Sequence, residues 1–154
     1  MTEKKRLLWA LPLLCAIVIY WRPMSLGEAV TAEESNYAVT SILHRVTNGK
    51  IDNLSLSYDL PAGSGEAAAM AEILEKYTYH RCLRTPFSDG SMDGKGGSDH
   101  TILLSTTKEH IIFSGTGEIL LGSRVYRTDY FGNKKGMKLV EEAAALLAEC
   151  APRE

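Results

Sequence analysis

The segment Ser88 to Asp99, SDGSMDGKGGSD, gathers side chains able to hold a cation. Counted from Asp89, acids stand at positions 1 and 5 (Asp89, Asp93), Ser91 at 3 and Gly94 at 6. This is part of a calcium-loop pattern. Position 12 is His100, where that loop needs a bidentate glutamate, and a strand follows where it needs a helix. The segment is therefore read as a flexible polar connection, because its glycines each add backbone freedom. Gly90 to Lys95 falls one residue short of a phosphate-binding loop, and Gly96 stands where magnesium needs a hydroxyl. Ser105-Thr-Thr-Lys108 has the S-x-x-K spacing of penicillin-binding enzymes, but it caps a hairpin turn here and opens no helix.

The other reactive types are scattered. His44, His80, His100 and His110 show neither H-x-H nor H-E-x-x-H spacing, and are read as surface or strand-end histidines. Cys82 and Cys150 lack C-x-x-C spacing. Cys150 lies on an apolar helix face, whereas Cys82 faces the other way if Tyr79 and Leu83 are core. Two separate thiols are expected, with a disulfide as the alternative. Arg81, Arg84, Arg124 and Arg127 sit on extended segments, read as a solvated face or else as one patch. Tyr77, Tyr79, Tyr126 and Tyr130 are read as packing residues, with a recognition surface as the alternative. On this reading the body has no catalytic residue, no metal ligand and no cofactor.

The elements that must carry these groups form an α+β domain. Residues 37–47 and 51–59 read as a hairpin about Asn48-Gly49, a pair that tolerates the positive φ of a type I′ turn. After Pro61, Ser64 is a candidate N-cap for a helix over 66–77, striped by Ala69, Met70, Ile73, Leu74 and Tyr77. Extended segments are expected at 78–85, 101–107, 109–114 and 118–127. A second helix is expected over 137–150, with Leu139, Ala143, Leu146 and Cys150 on one face. The fold expected is thus a mostly antiparallel sheet of about five to six strands with two helices packed on it.

An N-terminal transmembrane helix precedes this body in the sequence reading. Lys4-Lys5-Arg6 leads into an uninterrupted apolar run from Leu7 to Trp21, followed by Arg22-Pro23. Fifteen helical residues rise about 22 Å, short of a hydrocarbon core of roughly 30 Å. Snorkelling basic side chains and local bilayer thinning can meet that deficit. Trp9, Tyr20 and Trp21 lie near its ends, where aromatic rings favour the interface. The competing reading is a signal peptide cleaved after Ala29 or Ala32. The uncleaved anchor is the expectation, giving 1–23 as basic tip and anchor, 24–36 as tether and 37–154 as the domain. Either way the basic cluster stays on the cytoplasmic side and the body lies outside. Cys15 lies inside the run behind Leu13-Leu14, so lipidation there is rejected.

Composition supports an ordinary globular body. Of the 154 residues 45% are apolar and 23% charged, which excludes a disordered or collagen-like chain. The net charge is −2, but residues 1–23 carry four basic side chains against Glu3 alone, leaving 13 basic against 18 acidic in the rest. An acidic body excludes nucleic acid as the expected partner, since counterion release needs clustered cations.

The chain resembles an uncharacterised group of short membrane-anchored proteins of Gram-positive bacteria. The resemblance rests on Tyr20-Trp-Arg-Pro-Met24 after the apolar run, the segment closing at Tyr58-Asp59, the helix from Glu66, and Tyr77-Thr-Tyr-His-Arg-Cys-Leu-Arg84. It is one of pattern over most of the chain. It implies an extracytoplasmic α+β domain on one anchor and assigns no residue a role. The functional expectation is a non-catalytic binding, sensing or envelope-associated module. Its partners are the membrane through 7–21 and an unidentified protein or envelope component, with the oligomeric state open. The alternatives are a secreted factor and a small cell-surface enzyme.

Overall fold

In the computed structural model the described residues are 3–26, 37–47, 50–92, 100–106 and 110–153. The fold is α+β, an eight-stranded antiparallel sheet with three helices. In chain order these are α1 (Glu3–Tyr20), β1 (Met24–Ser25), β2 (Tyr37–Thr47), β3 (Lys50–Leu60), α2 (Gly65–Glu75) and β4 (Thr78–Arg81), followed by β5 (His100–Ser105), β6 (His110–Ser114), β7 (Glu118–Leu121), β8 (Arg124–Arg127) and α3 (Lys134–Glu149). Across the sheet the order is β1-β4-β8-β7-β6-β5-β2-β3.

The β2–β3 hairpin pairs Tyr37 with Leu60 through to Thr47 with Lys50; its Asn48-Gly49 turn lies outside the described residues. Strand alternation sends Val39, Ile102, Leu104, Ile111, Phe113 and Ile119 to one face, all buried. The same face receives Met70 and Leu74 from α2, and Leu139, Val140, Ala143 and Leu147 from α3, in one continuous core. Ser64 caps α2 by accepting the Ala67 N–H at 3.0 Å, which satisfies one of the donors left open in its first turn.

The sheet has eight strands where about five to six were expected, and three expectations about individual segments need correction. The segment 118–127 is two strands, not one, because the chain reverses at Gly122, where φ is +60°. The helix expected from Met137 begins at Lys134: Asp129 reaches forward to accept the Lys135 N–H at 2.7 Å and supports the first turn. Met24 and Ser25 are not tether. They pair with Tyr79 and Thr78 as an added edge strand, and Leu26 behind them is buried in the core. Residues 27–36, the rest of the expected tether, lie outside the described residues.

Helix α1 matches the expected apolar run, but among the described residues no helix is long and apolar enough to cross a membrane. Its first four residues, Glu3 to Arg6, are charged. The apolar part from Leu7 to Tyr20 rises only about 21 Å.

The tightest joint in the domain is between the β6–β7 turn and the start of α3. Gly117 has φ +82°, and a Cβ there would come within 2.5 Å of the Asn133 carbonyl oxygen; a Cβ on Gly136 would overlap the Gly117 carbonyl. Only bare backbones can approach so closely. Gly136→Ala is therefore expected to cost roughly 1–3 kcal/mol through overpacking. Leu74→Ala and Leu147→Ala, which leave cavities, should each cost about 2–5 kcal/mol. Urea denaturation checks all three.

Candidate functional site

The sheet face opposite α2 and α3 is built around one acid. Register places Glu118 of β7 directly across from Arg127 of β8. Glu118 is completely buried, and Arg127 Nη2 donates to its Oε1 at 2.9 Å. A second guanidinium arrives from the turn after β4. There Thr85, itself buried, donates from Oγ1 to the Val125 carbonyl at 2.6 Å and accepts the Cys82 N–H at 2.8 Å. This bolts the turn to β8 and sets Arg84 over Glu118, with Nη1 3.1 Å from both carboxylate oxygens. Arg84 Nη2 also donates to the Ser91 carbonyl at 3.1 Å. Removing a carboxylate from water costs several kcal/mol, here offset by charge-assisted bonds from two cations. The trio keeps one net positive charge.

Beside this trio opens a cleft of about 540 Å³. Arg81, Arg84 and Arg127 line it, together with the apolar surfaces of Trp21, Leu83, Tyr130 and Phe131. The end of α1 forms one wall. The Tyr20 hydroxyl donates to the Cys82 carbonyl at 3.4 Å, and the Arg81 guanidinium lies 5.5 Å from the centre of the Tyr20 ring. The Tyr130 hydroxyl in turn donates to the Trp21 carbonyl at 3.4 Å. Tyr130 also lies over the His80 imidazole, ring centres 3.9 Å apart. Burial first, and then Lys135, push the His80 pKa below its ordinary value, against an opposing pull from Asp129.

The structure thus gathers three of the four arginines expected to form either a patch or a solvated face, and Arg124 stays outside the cleft. Of the four tyrosines, Tyr77, Tyr79 and Tyr126 pack in the core and Tyr130 alone joins the site. His80 stands next to the end of β4, within the surface or strand-end expectation, and is buried there because Tyr130 covers it. His44 contacts Asn53 and Thr101, and His110 contacts Ser105. Leu83 is exposed where a core position was considered, since β4 ends at Arg81 and the chain turns. Cys82 and Cys150 are separate free thiols. Asp89 makes a local turn with Ser91. Residues 93–99, the rest of the calcium-like segment, lie outside the described residues, as does Lys108 of S-x-x-K.

Three contributors escaped the sequence reading: Glu118, Trp21 as a cleft wall, and Phe131. Glu118 carried a signal, because an acid opening the apolar strand Glu118-Ile-Leu-Leu121 must find a partner if that strand is central. The cleft offers guanidinium groups beside exposed aromatic and aliphatic side chains, suited to a partner that is apolar in part and anionic in part. Compared with known proteins, the chain matches no protein-family model, no curated protein and no solved structure.

Loss of one arginine should be partly covered by the other. Arg127→Ala is expected to cost about 1–3 kcal/mol, and the Arg84→Ala/Arg127→Ala double variant about 3–5 kcal/mol. A double-variant loss below about 1 kcal/mol in urea melts would show that other groups hold the carboxylate. The lowered pKa of His80 has a signed consequence. The unfolded chain takes up this proton at the ordinary histidine value, 6.5, before the folded one does. Its contribution to stability is thus present above that pH and is lost as pH falls towards the lower folded value. The stability difference between wild type and His80→Gln should change across that window and stay flat from pH 7.5 to 9.

Proposed function

We propose that the protein is a non-catalytic binding module held at a membrane by α1, with its α+β domain on the extracytoplasmic side. One observation carries this reading. The apolar side chains of α1 face outward all around the helix: Leu11, Leu13, Leu14, Val18 and Ile19 are each at least 60% exposed. Its described contacts with the domain come from the C-terminal end, at Tyr20 and Trp21. A soluble monomer rarely leaves so large a contiguous apolar surface in water, whereas the apolar part of a bilayer covers it. The run is short for a full crossing. Basic residues at both ends can reach the headgroups, and the bilayer can thin locally. Lys4, Lys5 and Arg6 ahead of the run favour a cytoplasmic N-terminus.

The fold also disfavours release by cleavage. Cutting after Ala29 or Ala32 would strip off Met24 and Ser25, which pair with β4, and Leu26, which is part of the core. A signal peptide has no reason to contribute a strand to the domain it precedes. The site favours binding over catalysis because its charged groups are three arginines, the carboxylate of Glu118 already enclosed by two of them, and Asp129, which accepts the Lys135 N–H. Catalysis calls for a nucleophile beside a base, and Cys82 Sγ is placed against Thr85 Oγ1 and the Val125 carbonyl.

The full-length protein should remain in the membrane pellet after high-salt and carbonate washes. Protease added outside intact cells should digest the domain. Recovery of a soluble form beginning at Val30 or Glu33 would overturn the reading.

A further inference from the structure

We infer that the cleft face is itself a membrane-docking surface: Leu83, Phe131 and Trp21 enter the headgroup–acyl boundary of an anionic bilayer while the surrounding arginines and lysines hold its phosphates. This rests on the anchoring reading above and adds an orientation to it.

Position is the first argument. A bilayer that accepts α1 has its surface near Trp21 and Arg22, where the apolar run ends, and Trp21 is a wall of the cleft. The two cannot separate freely, because Tyr20 is held by Cys82 and Arg81, and Trp21 by Tyr130. Wherever the end of α1 meets the headgroups, the cleft meets them too.

Exposure is the second. Phe131 is 96% and Leu83 75% exposed, each at the tip of a tight turn. Phe131 precedes Gly132 at φ +83°, and Leu83 lies in the turn clamped by Thr85. Side chains of this size, so little covered by protein and lining one cleft, are what an interfacial insertion requires.

Charge is the third. The chain as a whole is acidic, but this face is not. Of its carboxylates, Glu118 is buried beneath Arg84 and Arg127, and Asp129 is engaged by the Lys135 N–H. Arg81 lines the cleft, Arg22 follows Trp21, and the exposed Lys134 and Lys135 follow the Phe131 turn. A cationic rim around apolar tips complements anionic lipid headgroups.

The test uses the full chain, with Trp9 and Trp21 replaced by Phe and a single tryptophan introduced by Phe131→Trp. It is reconstituted into phosphatidylcholine vesicles with or without phosphatidylglycerol, and with acyl chains brominated near the headgroup end. Anionic vesicles should float with the protein and quench this tryptophan by about twofold or more. A control carrying Ser55→Trp instead, on the far edge strand β3, should keep its intensity. Adding Lys134→Glu and Lys135→Glu should reduce quenching at position 131 to the level in neutral lipid. Acidic residues suit the first turn of α3, and an unchanged thermal midpoint by circular dichroism confirms that the variant is folded. Protein that fails to float overturns the anchor, and the docking with it. Protein that floats with an unquenched tryptophan at 131 overturns the docking alone, as it would if a second copy covered this face. Equal quenching at 131 and 55 overturns it as well, and so does quenching at 131 that is indifferent to lipid charge and to the two lysines.

Discussion

A carboxylate with no access to water, Glu118, sets the arrangement of one whole face of this protein. Its charge is offset by two guanidinium groups within hydrogen-bonding distance. One of these, Arg127, comes from the neighbouring strand, where register already places its backbone opposite and only its side chain has to be ordered. The other, Arg84, has to be carried in by a turn. That turn is bolted to β8 through Thr85, and its outer surface then presents Leu83 and receives the Tyr20 hydroxyl at the Cys82 carbonyl. The cleft, and the seat of α1 beside it, follow from the enclosure of one acid.

The opposite face is organised by different physics. There the sheet and two helices meet through aliphatic and aromatic side chains, and the constraint is steric. Gly117 and Gly136 allow the backbone of a turn to touch the backbone of α3, which settles how close the helix lies to the sheet. Lys76 and Glu142, 2.8 Å apart, join α2 to α3 at the surface, a contact open to solvent and so of small energetic weight. One face is held by packing and the other by charge, and the same eight strands serve both.

Much of the fold was legible in the chain. The β-branched residues and the Asn48-Gly49 signal located β2, alternation located β3, and apolar stripes at helical spacing located both packed helices, each to within a few residues. Leu54 and Leu56, part of the alternating set, are nonetheless exposed, because β3 is an edge strand. The N-cap at Ser64 was legible locally as well. What escaped was non-local. Nothing in Met24-Ser25 marks it as a strand until β4 supplies a free edge, and Leu26 reads as one leucine in a polar stretch. The arginines of the site stood out as a group, but their convergence depended on a turn after Arg81 and on an acid 34 residues beyond Arg84. The burial of His80 was not legible because its cover, Tyr130, is contributed by a loop across the sheet.

The short strand β1 also determines reach. Only Arg22 and Pro23 separate the end of Tyr20-Trp21 from a strand locked into the sheet, and the three Cα steps from Trp21 to Met24 span at most about 11 Å. A domain on a thirteen-residue leash could sweep a broad volume and meet partners by diffusion at the end of a flexible arm. This one has almost no leash. With α1 as the anchor proposed above, the domain turns only as far as its edge strand turns, and a partner has to come to it.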